Sequence, residues 1–314
     1  MLRRTLLAAS GSARIRTMVS SAPLARNVVD RFVAGETAAD AVAVTGRLRG
    51  AGLLASLDHL GEDTTEPEHA AAVTQEYEDL LTALAATGLT GGGTASFSEV
   101  SVKPTAVGLR LSPHGEKTAA ANIARICAAA RTAGTTVTID MEDHEAVEPT
   151  LRIAAELRAE FPGIGCVIQS YLRRSERDCG ALAEAGARVR LCKGAYSAPA
   201  DVAFTSARDV DRSYARCLRE LMSGPGYTMV ATHDPRLIEI AGAQAVLAGR
   251  PDGSVEFQML YGVRPDEQRR LAAAGERVRV YVPYGSDWYG YLVRRLAERP
   301  ANLAFFLRAI ATRS

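Results

Sequence analysis

The chain has 314 residues, of which 47% are hydrophobic, and a formal net charge of +1. That length is enough for one large domain or two ordinary ones with a full core. No basic stripe stands out from the acidic residues, which argues against a nucleic-acid surface, and no apolar run approaches the ~18 residues of a membrane-spanning helix. Five cysteines, at 127, 166, 179, 192 and 217, form no C-x-x-C pair. They favour neither a disulfide framework nor a zinc site, and they fit a reducing cytoplasm.

Residues 1–29 carry Arg3, Arg4, Arg14, Arg16 and Arg26, several serines and no acid. Two readings stay open: an organellar targeting sequence, or a basic amphipathic helix packed on the body or resting on acidic lipid. From about residue 50 onward one unit repeats, a short β-rich run, a polar turn and a helical stretch. Strands are predicted at 53–58, 98–103, 136–140, 165–170, 188–193, 227–232, 255–260 and 278–283. Helices are predicted at 67–87, 118–133, 148–160, 175–185, 202–222, 235–248 and 265–274. In the first of these, Val73, Tyr77, Leu80, Leu81 and Leu84 share one face. Gly88, Gly134, Gly186, Gly249 and Gly275 stand where helix C-caps are expected.

Eight strands alternating with helices predict a closed (β/α)8 barrel, an α/β TIM-like fold. An open doubly wound sheet is disfavoured because no G-x-G-x-x-G follows the first strand. The expected organisation is an N-terminal helical arm over 1–50 and a barrel over 51–314, with a final helix over the barrel mouth.

In such a barrel the chemistry lies at the C-terminal strand ends. Those ends supply Asp58, His59 and Glu62; Lys103; Asp140, Met141 and Glu142; Gln169 and Tyr171. They continue with Arg190 and Lys193; Thr232, His233 and Asp234; Gln258, Leu260 and Tyr261; and Tyr281 and Tyr284. Lysine occurs only at 103, 117 and 193, so its use at two strand ends calls for a reason. Single charges, amides and tyrosines together make a site for a polar, partly aromatic ligand. A metal reading would use Asp58, His59, Glu142, His144, His233 and Asp234, but no H-x-H or H-E-x-x-H spacing organises them. Asp58 and His59, as strand neighbours, should also point to opposite faces. An organic-cofactor reading uses Lys193, Arg190 and Gln169 as donors to a conjugated ring and its phosphates. On the last helix, Tyr291, Arg294, Arg295 and Glu298 fall within one arc. That arc is either a solvated face or a clamp for a small carboxylate.

The strings Ser101-Val102-Lys103, Ile139-Asp140-Met141-Glu142, Gln169 to Arg174, and Arg190-Leu191-Cys192-Lys193-Gly194-Ala195-Tyr196 occur in order. They are followed by Ala231-Thr232-His233, Phe257 to Gly262, Tyr281 to Gly285 and Tyr291-x-x-Arg294-Arg295-x-x-Glu298. With this ordered set the chain resembles the proline dehydrogenases, monofunctional FAD enzymes that oxidise L-proline to Δ1-pyrroline-5-carboxylate. The resemblance implies non-covalent FAD, electrons passed to a membrane quinone, and a separate dehydrogenase for the glutamate semialdehyde that follows. It places the protein in the cytoplasm with peripheral contact at the membrane's inner face. It implies that Arg294 and Arg295 hold the proline carboxylate with Lys103 as a third cation, and that Asp140 pairs with Lys103. Tyr281 and Tyr291 would wall the ring, with Leu260 and Tyr196 nearby, and Glu298 would orient an arginine. Arg190 and Gln169 would touch the isoalloxazine edge, while Met141, Lys193, Gly194, Ala195, Tyr196, Thr232 and His233 complete the FAD contacts; Asp140 and Arg190 are the expected catalytic pair. Departures from the family pattern are Ser197-Ala198 after Tyr196, Gly290 before the arginines, and Cys192. The rival readings are a ligand-binding barrel or a metal-dependent lyase, each without flavin.

Overall fold

A computed structural model describes residues 29–91 and 96–292. Helix α1, Ala38–Gly50, precedes the barrel and is opened by a capping box between Thr37 and Asp40. The chain then runs β1 Leu54–His59, α2 Pro67–Ala86, β2 Ser98–Val102, α3 Gly115–Ala133, β3 Val137–Ile139 and α4 Val147–Arg158. It continues β4 Gly165–Gln169, α5 Ser175–Glu184, β5 Arg188–Cys192, α6 Ala207–Ser223, β6 Thr228–Ala231, α7 Pro235–Leu247, β7 Val255–Leu260, α8 Pro265–Ala273 and β8 Val278–Tyr284. The eight strands close in sequence order into a barrel, all parallel, with β8 returning to β1 from Leu54↔Arg279 to His59↔Tyr284. The chain is helical again over 288–292.

Each predicted strand is present to within one or two residues at its ends. All five predicted helix-ending glycines are left-handed, with φ from 62° to 88°. One helix starts later than periodicity suggested, at Ala207 rather than 202. Its true N-cap is Ser206, whose hydroxyl accepts from Asp209 N–H. The residues before it are tied across the β4 end instead, through Arg173 N–H to Val202 O and Phe204 N–H to Tyr171 O. Helix-forming composition is a weak prior that such bonds override.

The main core lies between strands and helices. Val100, Val102, Ile139, Val189, Leu191, Val280 and Val282 meet Leu80, Leu84, Ile123, Ile126, Tyr214 and Leu218 there. Barrels of this class usually fill their interior with branched apolar side chains. Here the inward positions are polar: Ser56, Glu99, Ser101, Thr138, Arg188, Arg190, Glu256, Gln258 and Arg279 are all buried. Glu99 accepts from Arg188 at 2.5 Å and from Arg190 at 3.0 Å, with Arg279 at 3.9 Å. Burial opposes its charge, yet Arg188, Arg279 and Arg190 outweigh that and hold the carboxyl well below the usual range. Arg279 pairs with Glu256 at 2.7 Å and donates to the Ala55 and Ser96 carbonyls. The signal was present in the sequence as strict alternation along β2, β5 and β8, with Val and Leu on the helix side.

Of the arm, residues 29–35 dock on the β8 end. Ala34 N–H donates to Pro283 O, Gly285 N–H donates to Gly35 O, and Phe32 and Val33 are buried. Gly262 has φ +72°, and a Cβ there would run into the Arg31 carbonyl. Gly262→Ala is therefore expected to cost about 1–3 kcal/mol. Faster proteolytic cleavage near Arg31 and a lower melting temperature would register it. Residues 1–28, and with them the targeting and amphipathic readings, lie outside the described residues, as do Arg294, Arg295 and Glu298.

Candidate active site

At the barrel mouth, β1, β2 and β3 supply one cation and several acids. Lys103 Nζ donates to both oxygens of Asp58, at 2.5 and 2.6 Å. This corrects the expectation that Asp140 is its partner. Asp58 projects inward from β1 directly beside β2, whereas Asp140 is held by other donors, Arg190 at 2.7 Å, Ser101 at 2.9 Å and the Tyr281 hydroxyl at 2.7 Å. Asp140 remains close enough to Lys103 to help raise its pKa; burial opposes the charge, and Asp58 is the larger of the two attractions. Two ammonium protons on Asp58 leave a third N–H for a ligand. Burial pushes the Asp58 carboxyl up to about 6 against the pull of Lys103. The neighbouring His59 points the other way, as expected, its ring edge-on to Tyr77 and Tyr284. Burial, with Lys103 nearby, depresses it to about 4.

Arg190 lies below the mouth. Its five N–H groups go to Gln258, Ser101, Asp140, Ser56 and Glu99, and its guanidinium lies 5.3 Å from the Tyr281 ring centroid. Lys103, Asp140, Arg190 and Tyr281 are thus brought into one cluster. Gln169 reaches the same side through its amide, which donates to Glu142 O at 2.6 Å. Tyr196 comes across the mouth to donate to Glu62 at 3.3 Å.

Glu142 is buried and accepts from Thr105 N–H at 2.9 Å and Thr105 Oγ1 at 2.5 Å. Burial outweighs those bonds and pushes its carboxyl up to about 7. The folded protein therefore keeps a proton there after the unfolded chain has released it. This group's contribution to stability is full below about pH 4.3 and is lost as pH rises to about 7. Asp58 acts in the same direction and His59 in the opposite one, so the difference between variant and parent isolates Glu142. Glu142→Gln is expected to gain stability relative to the parent between pH 5 and pH 8, read as the gap between their melting temperatures. A gap that stays constant with pH would count against the shift.

The β4–β6 ends are rich in donors. Lys193 is bracketed by Asp211 at 2.6 Å and Asp234 at 3.2 Å. Gly194 has φ +105°, with the Tyr171 ring where its Cβ would be. The Tyr171 hydroxyl is buried with no hydrogen-bond partner among the described residues. Met141 packs with Val147, Val167, Tyr171 and Leu172. Thr232 Oγ1 accepts from Asp234 N–H, and His233 Nε2 accepts from Leu260 N–H at 2.9 Å. Ala195 and Leu260 are half-buried and Tyr291 is buried. An unmet phenol beside a left-handed glycine, with an amide, a hydroxyl and an ammonium on adjacent strands, is a donor set that suits the ring carbonyls and phosphates of a flavin. Among the described residues no three His, Cys, Asp or Glu side chains are grouped to hold a metal.

Thr105 and the interior Glu99 and Glu256 were not among the expected site residues, and Asp58 and Gln258 were named at strand ends without a role in proline or flavin binding. Asp58 was visible as a strand end, but its partner lies 45 residues away, beyond the reach of any local pattern.

A family model described as proline dehydrogenase matches residues 41–308. Proline dehydrogenase 1 of Bacillus subtilis (strain 168) is 42% identical over 281 residues, 89% of each chain. The proline dehydrogenase of Deinococcus radiodurans is 39% identical over 286 residues, 90% of each. Among solved structures, proline utilization A (PutA) from Bdellovibrio bacteriovorus, inactivated by N-propargylglycine, matches with a TM-score of 0.80 and 27% identity. That match covers 88% of this chain and 33% of PutA, so the chain spans about a third of that protein.

Proposed function

The chain belongs to the proline dehydrogenase family, and from that premise we propose that it oxidises L-proline to Δ1-pyrroline-5-carboxylate at the barrel mouth with a non-covalent FAD. The observation that carries the reading is the Lys103–Asp58 pair beside the Arg190–Asp140–Tyr281 cluster, at the end of the barrel where this fold places its chemistry. Bound there, a flavin supplies the acceptor for a hydride from the carbon next to the ring nitrogen. The residues supply orientation. The third N–H of Lys103, with Arg294 and Arg295 from the following segment, holds the substrate carboxylate and stops the ring rotating. Tyr281, fixed by its bond to Asp140, walls one side of the pyrrolidine, with Tyr291, Leu260 and Tyr196 around it, and Glu298 would orient an arginine. Gln169, Lys193, Gly194, Ala195, Thr232, His233 and Met141 form the cofactor side. Arg190 places a buried positive charge beneath the site, where charge gained on reduction is stabilised.

A membrane quinone would be the final electron acceptor in this reading. No described helix is long and apolar enough to cross a membrane, and a cytoplasmic protein touching the membrane's inner face peripherally would suit such an acceptor. The organisation that goes with it is an arm over 1–50 and a catalytic barrel over 51–314. The product opens to an aldehyde, which a separate dehydrogenase oxidises. The test is optical. Purified protein should be yellow, and its flavin absorbance should bleach when L-proline is added without air. A colourless protein that stays inactive with added FAD would overturn the reading, and loss of turnover to a chelator would favour a metal-dependent lyase.

A further inference from the structure

Gln258 lies inside the barrel, buried between a donor and an acceptor. Its Oε1 accepts from Arg190 Nε at 2.5 Å, and its Nε2 donates to Glu256 Oε1 at 2.6 Å. An amide presents an acceptor and a donor from one planar group at every pH; an ionised carboxylate would face Glu256 with like charge. Glu256 is itself fixed by two bonds from Arg279, at 2.7 and 3.0 Å. Arg279 is anchored to the Ala55 and Ser96 carbonyls, at 2.8 Å each. A continuous line of hydrogen bonds therefore runs from the Ala55 and Ser96 carbonyls through Arg279, Glu256 and Gln258 to Arg190. From Arg190 it passes to Asp140 and the Tyr281 hydroxyl, at 2.7 Å each.

The bond to Nε is geometrically distinct from the others. A guanidinium held only at its two Nη atoms can still swing about the side chain, whereas a bond along Nε–H fixes the in-plane direction of the fork. We infer that Gln258 is a positioning residue for proline oxidation: by holding Arg190 through Nε it fixes where that guanidinium presents its charge and where Asp140 and Tyr281 stand at the mouth. The inference rests on the reading of the mouth as the proline and flavin site. The buried amide beneath the mouth thereby becomes part of the machinery.

The experiment compares Gln258→Leu and Gln258→Glu with the parent holoenzyme, following melting temperature, steady-state kinetics and the flavin midpoint potential. Gln258→Leu is expected to keep its bound flavin, lower kcat for proline about 10- to 100-fold, change KM less than threefold and make the midpoint potential more negative. Gln258→Glu supplies the decisive readout. While protonated, its new carboxyl can donate to Glu256 and accept from Arg190, as the amide does; once ionised it repels Glu256. The charged groups around it are Glu256, Arg279, Arg190, Glu99, Asp140 and Arg188. Its kcat relative to the parent should approach one at pH 5.5–6 and fall toward the Gln258→Leu value by pH 8.5, with the potential following. Parent-like kcat and potential in both variants would overturn the inference. So would equal, pH-independent losses in both variants that track a lowered melting temperature, since that marks a role in stability alone. A parent protein with no flavin and no turnover of proline would instead overturn the functional reading, which separates the two failures.

Discussion

Glu99→Ala is expected to lower the unfolding free energy by about 3–5 kcal/mol, the cost of leaving buried guanidinium groups without their counterion. Glu99 is fully buried, bonded to Arg188 and Arg190 and close to Arg279. Its removal leaves Arg188 with long contacts to Thr136, Thr138, the Gly163 carbonyl and the Met229 sulfur, at 3.4–3.5 Å, and the Tyr227 ring at 5.6 Å. Chemical denaturation of parent and variant would measure the loss, and a destabilisation below 1 kcal/mol would refute the account. A double substitution supplies the finer test. Glu99→Ala with Arg188→Met removes a positive charge along with the negative one, so the pair should cost less than the sum of the single changes. Burial of a matched set is not itself a source of great stability, because desolvation offsets most of the attraction. The interior charges are instead costly to remove one at a time.

The second large effect falls on activity. Lys103→Met should reduce kcat/KM for proline about 100-fold or more, roughly 3 kcal/mol of transition-state stabilisation, with most of the change in KM because a charge-assisted contact to the substrate carboxylate is lost. The fold should survive. Asp58 is already pushed up to about 6 by burial with Lys103 in place, so without the ammonium it takes up a proton instead of remaining a lone buried anion. Retained flavin absorbance and a near-parental melting temperature would separate this outcome from unfolding. An unchanged KM would remove Lys103 from carboxylate binding and leave it a structural partner of Asp58.

Both effects arise from residues at opposite levels of legibility. The strands and helices were readable because their signals are local. Val73, Tyr77, Leu80, Leu81 and Leu84 repeat at helical spacing, Gly134 ends its helix at φ +74°, and Val100 and Val102 alternate with Glu99, Ser101 and Lys103. Lys103, Asp140, Arg190 and Tyr281 could be named from where they stand at strand ends and from the family resemblance, and they form one cluster. Met141 and His233 were named from the resemblance; the first packs in an apolar cluster and the second accepts a bond from the Leu260 backbone.

The sequence by itself determined the alternation of eight strands with helices, the strand-end positions of Lys103, Asp140, Arg190 and Tyr281, and the family, because periodicity, capping and ordered motifs all act over short stretches of chain. Only the tertiary structure decided which charge meets which. Closure of β8 on β1 brings Arg279 to the Ala55 carbonyl, 224 residues away, and barrel geometry gives Lys103 to Asp58 and Arg190 to Asp140. Coulombic attraction and hydrogen bonding select partners by distance across the barrel. That distance exists only once the chain has closed.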